Sequence, residues 1–169
     1  MTDLPHEHET AEETARRKRL ALIASKGTLD QAYPPLILAA TAASLGWEVG
    51  IYFTFYGLDI LHKDRFDKLK VAPLANPSGP FQVPSLVGVI PGATTAATTM
   101  LKKWMKNANM PTIAEFIEMN QALNVTFFAC STSMGIMGVQ ESDLIDGCNV
   151  AGAAAFLDFA ADADIQLFV

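Results

Sequence analysis

Cys130 is the side chain in this sequence with the clearest capacity for covalent chemistry. It ends the apolar run 124–130 and is followed at once by the stretch 131–137, which reads as the first turns of a helix. A thiol at the carboxyl end of a strand, beside a helix amino terminus, has a physical reason to ionise. Unpaired N–H groups and the positive end of the helix dipole favour the thiolate, which is the nucleophilic form. The same edge of an open α/β sheet is where ligands usually bind. The competing reading is that Cys130 is a small buried apolar residue, as cysteines often are, and the local sequence leaves both open.

If the strands are parallel, the ends of the first two share an edge with Cys130. Lys26 and Gly27 after the first strand, Tyr56 and Gly57 after the second, and Ser131 and Met134 beside the thiol are then candidate substrate-binding residues. Lys26 would stabilise a thiolate or an anionic adduct by charge, or else stand as an ordinary exposed loop lysine. The two glycines serve either the site or turn geometry alone. Met134 and Met137 follow Cys130 at helical spacing and offer polarizable side chains either to a sulfur adduct or to the core.

The remaining groups say less. Histidine occurs as His6, His8 and His62 only, too few ligands for a structural zinc site, and no metal is expected. His62 follows the second strand, but nothing in the spacing demands a Cys–His pair. Cys148 lies eighteen positions from Cys130, which gives neither a disulfide framework nor a Cys-x-x-Cys pair. No Gly-x-Gly-x-x-Gly or Gly-Lys-Ser/Thr loop occurs, so a dinucleotide or nucleotide-triphosphate enzyme lacks support and no cofactor is expected. Lys102, Lys103 and Lys106 form a basic cluster, either a solvated helix face or a patch that steers an acidic partner.

The elements that must position the thiol follow from the apolar pattern. Residues 20–24 suit a buried parallel strand, with a turn at 25–27 and Thr28 or Asp30 as cap of a helix over 31–45 that stops at Gly46. Residues 48–56, rich in β-branched and aromatic side chains, form the second strand, and a short helix covers 58–62. A helix is expected over 93–105, and another capped by Thr112, with Ile113, Phe116, Ile117 and Leu123 at helical spacing. After the Cys130 strand come its helix, a helical segment at 141–145, a helix over 152–161 and a terminal strand at 165–169. This order predicts an α/β fold with a mostly parallel sheet and helices on both faces.

Length and composition agree. The 169 residues suit one domain, taken as 19–169 behind a polar, flexible tail at 1–18. Half the residues are hydrophobic and the net charge is −6, which argues against disorder and against a nucleic-acid partner. The stretch 71–101 carries no charge over 31 residues, yet it contains five prolines, so a continuous membrane span is implausible. An oligomer interface is the favoured role for it; a lid over the thiol or contact with a membrane surface stays open. With no secretory signal, a cytoplasmic location is expected.

Four stretches carry a family likeness: SKGTLD at 25–30, FTFYG at 53–57, the Pro91-Gly92 pair leading to MLKK at 100–103, and CSTSMGIMG at 130–138. The closing DLIDG at 143–147, followed by Gly152, agrees with them. In this order and spacing the chain resembles the DsrE/DsrF-like family, in its peroxiredoxin-like branch, from about residue 20 to the end. The resemblance implies a three-layer α/β/α sandwich with about five strands, assembled as a homo-oligomer. It also implies intracellular sulfur transfer, with Cys130 holding sulfane sulfur as a persulfide, or a thiosulfonate group, and exchanging it with a TusA-like carrier. Cys148 matches no family position with assurance. Two rival readings are a non-catalytic assembly subunit with a buried Cys130, and a thiol peroxidase. The second lacks a Thr-x-x-Cys arrangement and an evident resolving pair.

Overall fold

The computed structural model describes residues 16–72 and 92–169. The tail through residue 15 with His6 and His8, and positions 73–91 of the uncharged stretch, lie outside the described residues. Five strands form a single sheet: β1 (Arg19–Ala24), β2 (Glu48–Phe53), β3 (Thr126–Cys130), β4 (Cys148–Ala151) and β5 (Ile165–Phe168). The order across the sheet is β4-β3-β2-β1-β5, and every pairing is parallel. The helices are α1 (Leu29–Ser44), α2 (Ala93–Asn107), α3 (Ile113–Ala122), α4 (Ser131–Met137) and α5 (Ala153–Ala161).

The central strands are apolar on both faces, as strands buried between layers must be. On one face Leu22, Ile51, Phe53 and Phe127 pack under α1 and α3, with Leu36, Phe116 and Ile117 closing the larger core. Phe53 and Phe127 meet edge to face with ring centres 5.6 Å apart. On the other face Ala21, Tyr52, Cys130, Phe156 and Ala160 form a smaller cluster beneath α5. Gly50 of β2 makes this contact possible, because a Cβ there would lie 2.5 Å from the Phe159 ring. The result is an α/β/α sandwich, as the sequence implies.

Several boundaries differ from expectation, each for a local reason. β2 ends at Phe53 rather than 56, because Phe55 takes a left-handed φ of 48° and starts a tight 3-10 turn over Phe55–Ile60. The segment at 141–145 is only a 3-10 turn, Glu141–Asp143. β4 is a strand that the pattern did not reveal, four residues at the sheet edge with Asn149 and Val150 exposed. α1 begins at Leu29, with Thr28 in the cap position but without a side-chain capping bond. Thr112 caps α3 as expected, in a reciprocal box with Glu115. Arg16, placed with the tail by composition, bonds the Asp162 carbonyl at 2.8 Å and the Asp164 carboxylate at 2.6 Å. Among the described residues no helix is long and apolar enough to cross a membrane.

Candidate functional site around Cys130

β3 runs into α4 without a linker, and Cys130 is both the last residue of the strand and the cap of the helix. Its sulfur occupies the place a serine or aspartate oxygen normally takes. Sγ accepts the Ser133 backbone N–H at 3.4 Å and the Ser133 hydroxyl at 3.3 Å. Tyr52 pairs with Phe128 in the β2–β3 register, so strand alternation puts Tyr52 and Thr54 on the face that carries Cys130. Thr54 Oγ1 lies 2.8 Å from Ser133 Oγ. The Tyr52 ring stacks on Phe156 of α5 at 4.8 Å, which holds it in the buried cluster that contains the thiol.

Electrostatics follow from these contacts. Burial pushes the Cys130 thiol up. The Ser133 hydroxyl, the Tyr52 hydroxyl, the Ser133 N–H and the Thr54 hydroxyl outweigh it and bring the thiol from 9.0 down to about 7. Tyr52 moves the other way: burial first, then its bond to Cys130 and the charge there, hold the phenol well above its ordinary range. It therefore stays a donor when the thiol ionises. Cys148 is the contrast, since burial and then Asp146 push its thiol up to about 12 against a partial opposing effect of Lys63.

The sequence candidates are distributed unevenly around the sulfur. Ser131 is exposed at the first turn of α4, and Tyr56 is 67% exposed on the neighbouring turn. Lys26 is exposed, and among the described residues no hydrogen bond or ion pair joins it to Cys130. Gly27 and Gly57 sit where the loops after β1 and β2 touch backbone to backbone. Met134 turns to the opposite core, beneath α1 and α3, and does not line the thiol cluster. His62 is committed elsewhere: it bridges Leu144 and its Nδ1 accepts the Asp64 N–H at 3.2 Å.

Ser133 supplies both hydrogen bonds on the sulfur, and Tyr52 and Thr54 add to the lowering of its pKa; sequence reasoning did not single out any of the three. Ser133 had a signal, because a cap residue accepts from the amide three positions on. Cys130 itself is 5% exposed, so the sulfur is turned inward among hydroxyls rather than presented at the surface. Cys148 begins β4 opposite Phe127, whereas Cys130 lies opposite Ala151. The two thiols are thus offset by three positions along neighbouring strands, roughly 10 Å at the usual strand rise. A cleft of about 310 Å³ lies beside Cys148, Lys63 and Asp146, and a larger one of about 660 Å³ opens between Arg16, Arg19, Glu48 and Asp164; neither includes Cys130.

The chain is thus a parallel α/β sandwich with a buried, hydrogen-bonded free thiol at the carboxyl end of a central strand. Its sequence places it in one family: residues 16–168 match the DsrE/DsrF/DrsH-like family, and the chain belongs to it. It is 43% identical to the sulfur carrier protein DsrE2 of Allochromatium vinosum over 159 residues, which cover 90% of this chain and 99% of that protein. It is 31% identical to the uncharacterized protein YrkE of Bacillus subtilis, over 92% of this chain and 99% of that one. The crystal structure of the ychN protein from E. coli shares the fold, with a TM-score of 0.56 at 13% identity, over 90% of this chain and 99% of that one.

Proposed function

We propose that this protein is a covalent sulfur carrier, with Cys130 as the atom that holds the cargo. The observation that carries the reading is the set of hydroxyl and amide donors on Cys130 Sγ, in a chain similar over nearly its whole length to a named sulfur carrier. The thiolate attacks the outer sulfur of a persulfide donor, the donor's S–S bond breaks, and the donor thiolate leaves with the electron pair. A persulfide remains on Cys130. An acceptor thiolate then attacks the outer sulfur and Cys130 departs as thiolate, a step that a low thiol pKa favours. A thiosulfonate group is the other candidate cargo, and a TusA-like protein the candidate partner. The setting we propose is the cytoplasm, where a free thiol stays reduced.

We further propose a homo-oligomer. Leu157 of α5 and Phe168 of the edge strand β5 are 63% and 69% exposed. Such side chains are better covered by a second copy than by water.

The test is intact-mass measurement after incubation with polysulfide, thiosulfate or tetrathionate. Adducts of sulfur mass that disappear in Cys130→Ser and persist in Cys148→Ser support the carrier. One observation favours a second reading, an assembly subunit: the 5% exposure of Cys130. A thiol that stays unmodified in the native protein and reacts only after unfolding selects that reading.

A further inference from the structure

We propose that Thr54 is a positioning residue for the carried sulfur: its hydroxyl holds the Ser133 O–H aimed at Cys130 Sγ, so a residue of the β2 exit governs a thiol on β3. This rests on the carrier reading of Cys130 and names a part of that site which no comparison assigns.

A thiolate has no proton, so at 3.3 Å the Ser133 hydroxyl donates to Sγ and uses its only hydrogen. Its oxygen is then free to accept, and Thr54 Oγ1 at 2.8 Å is the hydroxyl placed to donate. Ser133 is 1% exposed, which leaves little room for solvent to take that place. The charge on sulfur thus sets the direction of the whole chain, and each bond polarises the next. The Ser133 N–H at 3.4 Å completes the donor set from α4. The buried cluster that contains Cys130 is otherwise made of Ala21 of β1, Phe156 and Ala160 of α5, all apolar, and Tyr52 of β2, its other titratable member.

Thr54 is itself fixed from both sides. Its N–H donates to the Ala24 carbonyl at 3.0 Å, and its carbonyl accepts the Gly57 N–H at 2.9 Å. The next residue, Phe55, holds a left-handed backbone that a bulky side chain rarely adopts. The chain matters most when sulfur is handed on. As the acceptor thiolate takes the outer sulfur, the Cys–S bond to it breaks, its electron pair returns to Sγ, and the aligned donors receive that charge. The sulfur moves between thiols without an external oxidant.

The test compares wild type with Thr54→Val, Thr54→Ser, Ser133→Ala and the Thr54→Val/Ser133→Ala pair. Thiolate ultraviolet absorbance gives the Cys130 midpoint, and intact mass gives sulfur uptake from polysulfide in the same samples. Thr54→Val is expected to raise the midpoint by about half to one pH unit, up to a tenfold loss of thiolate below it. Thr54→Ser restores the wild-type midpoint, and the double variant moves little beyond Ser133→Ala alone. A wild-type midpoint in Thr54→Val, or full additivity in the pair, overturns the inference while leaving the carrier reading intact if sulfur still loads. Midpoints that shift in a protein whose wild type takes up no sulfur remove the carrier reading and the cargo named here with it.

Discussion

Gly27 and Gly57 exclude side chains from each other's loops. A Cβ on Gly27 would lie 2.1 Å from the Tyr56 carbonyl oxygen, and one on Gly57 would lie 2.1 Å from the Ala24 carbonyl oxygen. The exits of β1 and β2 are therefore joined backbone to backbone, next to the strand that ends in Cys130. This is close approach rather than unusual dihedral angles, since neither residue has a positive φ. Gly57→Ala and Gly27→Ala should each destabilise the fold by about 1–3 kcal/mol or more, because backbone rather than a flexible side chain must yield. Denaturant unfolding measures it. Equal stability with wild type would mean that the loops separate at no cost.

The two thiols should differ sharply in reactivity. With Cys130 near 7 and Cys148 near 12, a small alkylating reagent at neutral pH should label Cys130 and leave Cys148 untouched in the native protein. A bulky maleimide should react more slowly than a small thiosulfonate reagent, because Cys130 is buried. Peptide mass mapping after timed labelling decides; preferential labelling of Cys148 contradicts the geometry.

Tyr52→Phe keeps the stacking on Phe156 and removes one donor from the sulfur. The Cys130 midpoint should rise, and stability should change by only about 1 kcal/mol, the usual net value of one hydrogen bond. A thiolate-sensitive absorbance titration, alongside a melting curve, separates the two effects.

Stability should carry the marks of both thiols with opposite sign. Cys130 titrates lower folded than unfolded, so its contribution is present above the ordinary 9.0 and is lost as pH falls through about 7. Cys148 titrates higher folded than unfolded, so its contribution is complete below 9.0 and is lost as pH rises toward 12. Cys148→Ala should accordingly flatten the alkaline loss of stability, and Cys130→Ala should remove the gain between neutral and mildly alkaline pH. Denaturation midpoints across that range provide the readout.

If a second copy covers Leu157 of α5 and Phe168 of β5, Leu157→Glu and Phe168→Glu should dissociate it. Sedimentation velocity reports the mass directly. A monomeric wild type would remove this interface.

The thiol itself was legible because a buried strand ending in cysteine and running into a helix is a local pattern. So were β1, α1 and the Thr112 cap. β4 was not, since four residues with Asn149 and Val150 exposed show no alternation to read. Tyr52 and Thr54 escaped notice for a different reason: Thr54 and Ser133 are 79 positions apart and meet only through strand pairing. For Met134 the sequence leaves a sulfur pocket and the core both open, because spacing along α4 does not say which sheet face the helix overlies; in the structure Met134 packs in the larger core. The capping rule points to Ser133, three positions after the cap, whereas nothing local separates it from its exposed neighbour Ser131.

If Cys130 holds the cargo as proposed, the three-residue stagger between Cys130 and Cys148 bears on how long that cargo stays aboard. With Cα atoms staggered by roughly 10 Å along neighbouring strands and side chains on opposite faces of the sheet, the two cysteines cannot bridge, since a disulfide needs Cα atoms within about 7 Å. Cys148 could therefore not eject a sulfur loaded on Cys130. Residence time is governed by collision with a second molecule, and the unloading rate should scale with that molecule's concentration.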